Sequence, residues 1–222
     1  MPLDASSLAV FVSCGTPYRI AEEEFILAVE AHLKSHGCTP ITVGRSKYSV
    51  RQPVEAARDC IAECRGAIVI AFERTRILEA VEYPDSAKAR SILVESHPTI
   101  WNQMESAMAY SKDIPILGFI QTGIKRQGML SNRFEWAAIE ADLSPDILRT
   151  EKFRQIFDEW LLSVRRKSEL KSKELDIGDI KISTLLTQLN TKQAWAAIVI
   201  TFALVSGVAT TAFKLGQTFR VP

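Results

Sequence analysis

The feature that most restricts how this chain can fold is an uncharged, largely apolar run over residues 195–213, close to the C-terminus. As a helix rising about 1.5 Å per residue, the run would span roughly 28 Å, close to the ~30 Å hydrocarbon thickness of a bilayer. Its apolar residues lie all round the helix, and Trp195 and Phe213 stand near its ends, where an aromatic belt is expected. The run therefore predicts one transmembrane helix over residues 194–214, with a buried core helix as the alternative.

The charges that flank this run indicate how the chain is oriented. Only Lys214 and Arg220 follow the run, whereas a larger group of basic residues precedes it: Arg165, Arg166, Lys167, Lys171, Lys173, Lys181 and Lys192. The positive-inside rule then places the N-terminal part in the cytoplasm. The N-terminus agrees, because no basic residue precedes its first apolar run, as one would in a secretory signal. We expect a single-pass protein of the cell membrane, with the lipid bilayer as its partner through residues 194–214.

The rest of the chain divides into one domain and a connecting segment. We expect a cytosolic domain over residues 1–165, a charged linker and juxtamembrane segment over 166–193, and a short tail over 215–222. A formal net charge of +1 and a pI near 7.7 argue against a nucleic-acid partner. Four cysteines without the spacing of a disulfide framework indicate reduced thiols, at Cys14, Cys38, Cys60 and Cys64.

Short, continuous apolar runs in the first domain predict buried strands, at residues 8–13, 39–43, 67–72 and 114–120. Helical periodicity lies between them. This alternation predicts an α/β fold with a flavodoxin-like parallel sheet of four to five strands and helices on both faces. Ligands of such sheets bind at the carboxyl ends of the strands, which points to the loop over residues 14–19, the segment from residue 73, and the loop over 121–128.

The chain between and after these strands is less regular. Residues 73–96 are a polar insertion, longer than a crossover needs, with the character of a functional lid. Residues 98–111 predict a helix whose inward side carries Ile100, Met104, Ala107 and Met108. Residues 134–164 predict further helices, interrupted at Ser144 and Pro145.

Glu105 is the strongest candidate for a catalytic residue. Trp101 and Glu105 share one face of the predicted helix at i, i+4 spacing, so an aromatic ring lies one turn from a carboxylate. That pair suits cleavage of an N-glycosidic bond, because the ring can stack on a base or ribose while the carboxylate attacks the anomeric carbon or stabilises an oxocarbenium-like centre. The alternative is a solvated helix carboxylate beside a core tryptophan.

Two short segments resemble motifs of TIR domains. Residues 11–14 (FVSC) resemble the first-strand box, and residues 99–105 (TIWNQME) resemble the Ser-x-Trp-Cys-x-x-Glu helix, with Asn102 in place of the cysteine. The related nucleoside 2-deoxyribosyltransferases are similar as well, through residues 15–18 (GTPY) and 105–109 (ESAMA). Ser106 stands where TIR domains have leucine. The resemblance covers residues 8–162.

The resemblance implies a TIR-like or deoxyribosyltransferase-like domain in which Glu105 is catalytic. The implied substrate contacts are Gly15, Thr16, Tyr18, Glu73, Trp101 and Asn102. We therefore expect an enzyme that cleaves NAD(P) or nucleosides at the N-glycosidic bond, in bacterial-type defence or cell-death signalling. We expect NAD or a nucleotide to be the substrate or ligand, and we expect no cofactor. The alternative is a non-catalytic effector that binds a nucleotide signal or self-assembles and acts through its membrane helix.

Three further groups of residues have weaker signals. Lys125 and Arg126 are candidate phosphate contacts, with a solvated loop as the alternative. Similar anion contacts are open to Arg19, Arg74 and Arg76 on strand-end loops. His32, His36 and Cys38 lack a fourth ligand, so we expect no metal site. Small residues recur every four positions in the apolar run and predict a homo-oligomer through Ala203, Gly207 and Thr211.

Overall fold

The computed structural model describes residues 7–47, 50, 52–131 and 136–178. Residues up to 170 belong to one compact unit. Its centre is a five-stranded parallel sheet of β1 (Leu8–Cys14), β2 (Cys38–Ile41), β3 (Gly66–Ala71), β6 (Ile116–Gln121) and β7 (Ala137–Ala141). The spatial order is β2-β1-β3-β6-β7, the order of flavodoxin-type sheets, with the topological switch point between β1 and β3. The predicted α/β class and parallel sheet are confirmed.

Helices cover both faces of the sheet, as expected. On one face α1 (Ile20–Ser35) and α4 (Glu151–Gly178) pack on the strands through a core rich in aromatic residues, which includes Phe25, Phe119, Phe153 and Phe157. On the other face α2 (Pro53–Glu63) and α3 (Ile100–Tyr110) pack through smaller residues, including Cys60, Ile61 and Ala109. Because both faces are buried, the strands are near-continuous apolar runs, which is why the sequence predicts them well.

Residues 73–96, predicted as a polar insertion, contain a β-hairpin. Strands β4 (Thr75–Glu82) and β5 (Arg90–His97) pair antiparallel with each other and form a separate two-stranded sheet. Most of their side chains are exposed, including Leu78 and Leu93. Neither the continuous apolar run of a buried strand nor a clean alternation marks such strands in the sequence. The hairpin begins directly after the carboxyl end of β3, beside the switch point.

The prediction of helices throughout residues 134–164 is wrong at its start. Ala137–Ala141 forms β7, which pairs with β6 in parallel at the edge of the sheet. A 3₁₀ turn follows at Pro145–Arg149, and α4 begins only at Glu151. The segment AAIEA has a composition that favours helix, and its strand conformation comes from the open edge of β6, so long-range pairing overrides local propensity.

Helix α3 is confirmed, but only part of its predicted inward side is correct, because Met108 packs against the core whereas Ala107 is exposed. Ile100 is 71% exposed, and the buried positions are Asn102, Glu105, Ser106 and Ala109. The Asn102 amide on the inner side reaches hydrogen-bond partners at the strand ends, and the Ser106 hydroxyl donates to the Asn102 backbone carbonyl within the helix. A hydrophobic pattern alone cannot anticipate this arrangement.

The predicted transmembrane helix at residues 194–214 and the tail at 215–222 lie outside the described residues. Within the part of the chain that the structure describes, no helix is both long and apolar enough to cross a bilayer. Helix α4 runs through residues 166–178, the first part of the segment expected to be a linker.

Candidate functional site

A cavity of about 590 Å³ lies at the switch point of the sheet, at the carboxyl ends of β1, β2 and β3. Its walls come from the loops after these strands, from the first turn of α2 and from the first two turns of α3. The described residues that line it are Cys14, Gly15, Thr16, Val43, Gly44, Pro53, Ala56, Arg74, Thr99, Trp101 and Glu105. This is the position where ligands bind in open parallel sheets.

Glu105 is a buried carboxylate in the wall of this cavity. Glu105 is 9% exposed and lies on the inner side of α3. Burial raises the pKa of the Glu105 carboxyl to about 7, and a hydrogen bond from the Ser13 side chain opposes this rise. The Glu105 carboxyl therefore titrates much closer to neutral pH than an exposed glutamate does.

Trp101 lies one turn before Glu105 and lines the same cavity. The first turn of α3 is fixed by its N-cap residue Thr99, whose hydroxyl accepts a hydrogen bond from the Trp101 backbone amide at 3.3 Å. The structure thus places the aromatic ring and the carboxylate in one cavity, as their spacing in the sequence predicts.

Gly15 and Thr16, two of the predicted substrate contacts, also line the cavity. Gly15 follows β1 and allows Arg74 to approach the backbone closely, because a Cβ at this position would lie 2.6 Å from Nη2 of Arg74. The guanidinium of Arg74 stands 4.8 Å from the centre of the Tyr18 ring and 3.9 Å from the Glu22 carboxylate. Gly15 and Tyr18 together therefore hold Arg74 in the cavity wall.

Arg74 and Glu105 are the two charged groups among the described lining residues. The Arg74 side chain is 27% exposed, so its guanidinium is accessible to a ligand. Sequence reasoning weighed Arg74 only as one of several loop arginines. Its position directly after the third strand was the signal, because that strand end faces the switch point.

Glu73 and Tyr18, predicted as substrate contacts, do not line the cavity. The Glu73 carboxylate accepts hydrogen bonds from Arg76 at 2.5 Å, Ser96 at 2.8 Å and Arg19 at 3.2 Å. The hydrogen bond from Arg76, followed by that from Ser96, lowers the pKa of Glu73 to about 2. The Tyr18 hydroxyl donates to the Glu73 backbone carbonyl at 3.2 Å. Glu73 thus ties the hairpin to the loop before α1.

Asn102, the remaining predicted substrate contact, is 1% exposed and lies behind the cavity wall. Its side-chain amide donates to Oγ of Ser13 at 3.0 Å and to the backbone carbonyls of Ser13 and Ile70 at 3.3 Å. It thereby connects α3 to the ends of β1 and β3. Ser13 itself was missed as a site residue, although it lies within the motif at residues 11–14.

Lys125 and Arg126, the candidate phosphate contacts, are engaged elsewhere. Nζ of Lys125 lies 2.8 Å from the carboxylates of both Glu82 and Glu95. Arg126 donates to the Leu130 carbonyl at 3.1 Å and lies 3.6 Å from Glu140. Lys125 therefore fastens the hairpin to the loop after β6, and neither residue is among those that line the cavity.

The thiols and histidines have packing roles in the structure. All four cysteines carry free thiols, and burial raises the pKa of Cys14 in the cavity wall to about 12. A neutral thiol of this kind is a poor nucleophile. The rings of His32 and His36 pack against each other with centroids 4.4 Å apart. Among the described residues, no group of three or more His, Cys, Asp or Glu side chains is placed to hold a metal ion.

Comparison with known proteins gives limited similarity. No protein-family model and no curated protein matches the sequence. Among solved structures, the CMP N-glycosidase BcmB of Clostridium botulinum is similar at 12% identity and a TM-score of 0.38, over 67% of this chain and 96% of that chain. The flavodiiron core of Flv1 from Synechocystis sp. PCC6803 is similar at 10% identity and a TM-score of 0.41, over 73% of this chain and 37% of that chain.

Proposed function

We propose that this protein cleaves the N-glycosidic bond of a nucleotide or nucleoside in the cavity between β1 and β3, with Glu105 as the catalytic residue. The observation that carries the proposal is the buried Glu105 carboxylate, which shares a cavity with Trp101 and whose pKa is raised to about 7. A carboxyl group tuned to titrate near neutral pH inside a cleft is characteristic of a catalytic acid or base, or of a nucleophile.

The ionised form of Glu105 is the one that does the chemistry. It attacks the anomeric carbon or stabilises the positive charge that develops there as the C–N bond breaks and the electron pair leaves with the base nitrogen. The anomeric carbon then takes the hydroxyl group of a water molecule, whose proton passes to the leaving base or to solvent. Where Glu105 has attacked, this water breaks the ester bond between Glu105 and the anomeric carbon and the carboxylate is regenerated. Charge stabilisation is stronger in a poorly hydrated cavity than in water.

Two other lining residues supply recognition. Trp101 offers a flat aromatic surface on which a base or ribose can stack. Arg74 offers a guanidinium that can bind two phosphate oxygens at once. The cavity volume, about 590 Å³, lies within the usual range for a site that binds a small molecule. These features favour a phosphorylated substrate such as NAD or a nucleoside monophosphate over a free nucleoside.

The proposed cellular setting is a membrane-anchored protein that self-associates and acts in defence or cell death. Residues 194–214 anchor the domain to a membrane, self-association through the same segment brings copies together, and the activity serves bacterial-type defence or cell death. These parts are supported by the apolar run and by the resemblance to TIR domains.

The test is an assay of base release by the purified full-length chain in detergent. NAD, nucleoside monophosphates and nucleosides are supplied separately, and the released base is measured by liquid chromatography. Glu105→Gln should lower the rate by on the order of a thousandfold or more. Glu24→Gln is the matched control, because Glu24 is an exposed carboxylate on α1. Equal rates for the wild type and Glu105→Gln would refute the role of Glu105.

A second candidate function is binding of a nucleotide signal without turnover. Arg74 and Trp101 favour it to the same degree, because neither needs a reactive carboxylate to hold a ligand. In that case the full-length chain would bind a nucleotide in calorimetry, Arg74→Gln would weaken the binding, and no base would be released from any substrate.

A further inference from the structure

We propose that Tyr18 and Gly15 determine specificity by acting through Arg74: they hold its guanidinium in the cavity wall with its N–H donors free, so that the cavity prefers a nucleoside monophosphate to the nucleoside. The inference rests on the proposed function, because it concerns ligand recognition in the same cavity. It gives an indirect role to Tyr18, which is not among the residues that line the cavity.

The guanidinium of Arg74 is attracted by two neighbours that do not use its hydrogen-bond donors. Its Cζ stands 4.8 Å from the centre of the Tyr18 ring, and its Nη2 lies 3.9 Å from the Glu22 carboxyl, too far for a hydrogen bond. Within the part of the chain that the structure describes, the Arg74 side chain donates no hydrogen bond. A guanidinium in this state is prepared for an anion that brings its own acceptor oxygens.

The two neighbouring arginines differ from Arg74 in this respect. Arg19 also stands 4.8 Å from the centre of the Tyr18 ring, but its Nη2 donates to the Glu73 carboxylate at 3.2 Å. Arg76 donates to the same carboxylate at 2.5 and 2.6 Å. Of these three arginines on strand-end loops, Arg74 is therefore the one whose donors are available to a ligand.

Tyr18 is itself fixed at both ends. Its backbone amide donates to the Glu22 carboxyl at 3.1 Å, and its hydroxyl donates to the Glu73 backbone carbonyl at 3.2 Å. The ring between these two anchors presents a fixed face to the guanidinium of Arg74. The negative face of an aromatic ring attracts a guanidinium, and the attraction is stronger where water is partly excluded.

The backbone of Arg74 and the space beside Gly15 complete the arrangement. The Arg74 amide donates to the His97 carbonyl at 2.8 Å, which fixes the residue at the base of the hairpin. The guanidinium occupies the room that a side chain at position 15 would take, because a Cβ there would lie 2.6 Å from Nη2. A group that is in place before the ligand arrives loses less conformational freedom on binding, and this favours affinity.

The experiment measures binding without turnover, in the full-length chain in detergent with Glu105→Gln as the parent protein. Calorimetry compares AMP, GMP, CMP and UMP with the corresponding nucleosides, and the preference is the ratio of the two dissociation constants. The parent should bind at least one monophosphate about tenfold or more tightly than its nucleoside, because a guanidinium–phosphate contact is a charge-assisted one.

Variants of Tyr18 and Gly15 test what holds the guanidinium. Tyr18→Leu should weaken binding of the monophosphate by about three- to tenfold through the lost stacking, and should leave binding of the nucleoside unchanged. Tyr18→Phe keeps the ring and should stay within about twofold of the parent. Gly15→Ala should also lower the preference, because its Cβ displaces the guanidinium. If Tyr18→Leu does not fold, Tyr18→Phe and Gly15→Ala still decide the matter.

A double-variant cycle tests whether Tyr18 acts through Arg74. Arg74→Gln should remove the preference, and Tyr18→Leu should cause no further loss when it is combined with Arg74→Gln. Arg19→Gln is the matched control, because Arg19 contacts the same ring but donates to Glu73. It should change the affinity for the monophosphate by less than about threefold, as expected for a screened charge at a distance.

The outcomes separate this inference from the proposed function. A monophosphate that binds no more tightly than its nucleoside, or that does not bind, would overturn the inference even if the wild type releases a base. Equal losses in Tyr18→Leu and Tyr18→Phe would overturn the role of the ring, and equal losses in Arg19→Gln and Arg74→Gln would overturn that of the free donors. The expected preference in a protein that releases no base would support the inference and refute the glycosidase.

Discussion

The raised pKa of Glu105 leads us to expect that the free energy of unfolding depends on pH, whether or not the protein is an enzyme. The folded protein holds the Glu105 proton more tightly than the unfolded chain does, because the pKa rises from 4.5 to about 7 on folding. Between these two pH values the unfolded state releases its proton first, so the wild type loses stability as the pH rises. The loss is complete above pH 7.

The magnitude follows from the size of the shift. A change of roughly 2.5 pKa units corresponds to about 3 kcal/mol at 1.36 kcal/mol per unit. Glutamine has nearly the same shape as protonated glutamate and does not titrate in this range. The free energy of unfolding of Glu105→Gln, minus that of the wild type, should therefore increase by about 3 kcal/mol between pH 4 and pH 8.

The assay is urea unfolding of the full-length chain in detergent, followed by tryptophan fluorescence at a series of pH values. Glu24→Gln serves as the control and should differ from the wild type by a nearly constant amount, because Glu24 is exposed. The measured quantity is how the difference in free energy of unfolding between Glu105→Gln and the wild type changes with pH. A packing effect of glutamine that does not depend on pH therefore cancels. A difference between Glu105→Gln and the wild type that does not vary with pH would refute the claim that Glu105 is desolvated.

Four further predictions concern recognition, the membrane and assembly. Trp101→Ala should weaken substrate binding by about tenfold through lost stacking, with a smaller effect on the rate at saturation, as measured by KM and kcat. Arg74→Gln should weaken binding of a nucleoside monophosphate by about 10–100-fold and leave that of the free nucleoside unchanged in calorimetry; equal losses for both would exclude a phosphate contact. The full-length chain should stay with membranes in carbonate, whereas a chain ending at Gly178 should be released; equal release would remove the transmembrane assignment. Gly207→Leu should reduce cross-linking between copies in membranes, and an unchanged oligomer would make the segment only a tether.

The parts of the fold that the sequence predicts are those that depend on burial on both faces. Strands β1 and β3 are continuous apolar runs because helices cover them on both sides, and their pattern is visible without any tertiary information. Strand β7 and the hairpin were not anticipated. The strand conformation of β7 depends on pairing with β6, and the hairpin strands are largely exposed, so neither has a local pattern that distinguishes it.

The candidate site was predictable to the extent that it lies on one helix and one loop. Spacing along α3 places Trp101 and Glu105 together, and the loop after β1 brings Gly15 to the same cavity. The hydrogen bonds that engage Glu73 and Lys125 come from the hairpin, so their partners could not be known before the hairpin was seen. The burial of Asn102 and Ser106 on the inner side of α3 was not predicted, because a search for apolar periodicity passes over polar residues.

The hydrogen bonds to Glu73 that tie the hairpin to the loop before α1 respond to pH in a different range from Glu105. With a pKa of about 2, the Glu73 carboxylate gives stability that is lost only as the pH falls toward that value. The Glu105 carboxyl, whose pKa burial raises to about 7, takes up its proton at a higher pH than Glu73 does. If Glu105 acts as proposed, mild acidification should therefore remove its charge while the hairpin stays fastened to the loop before α1, and a return to neutral pH should restore that charge without any refolding.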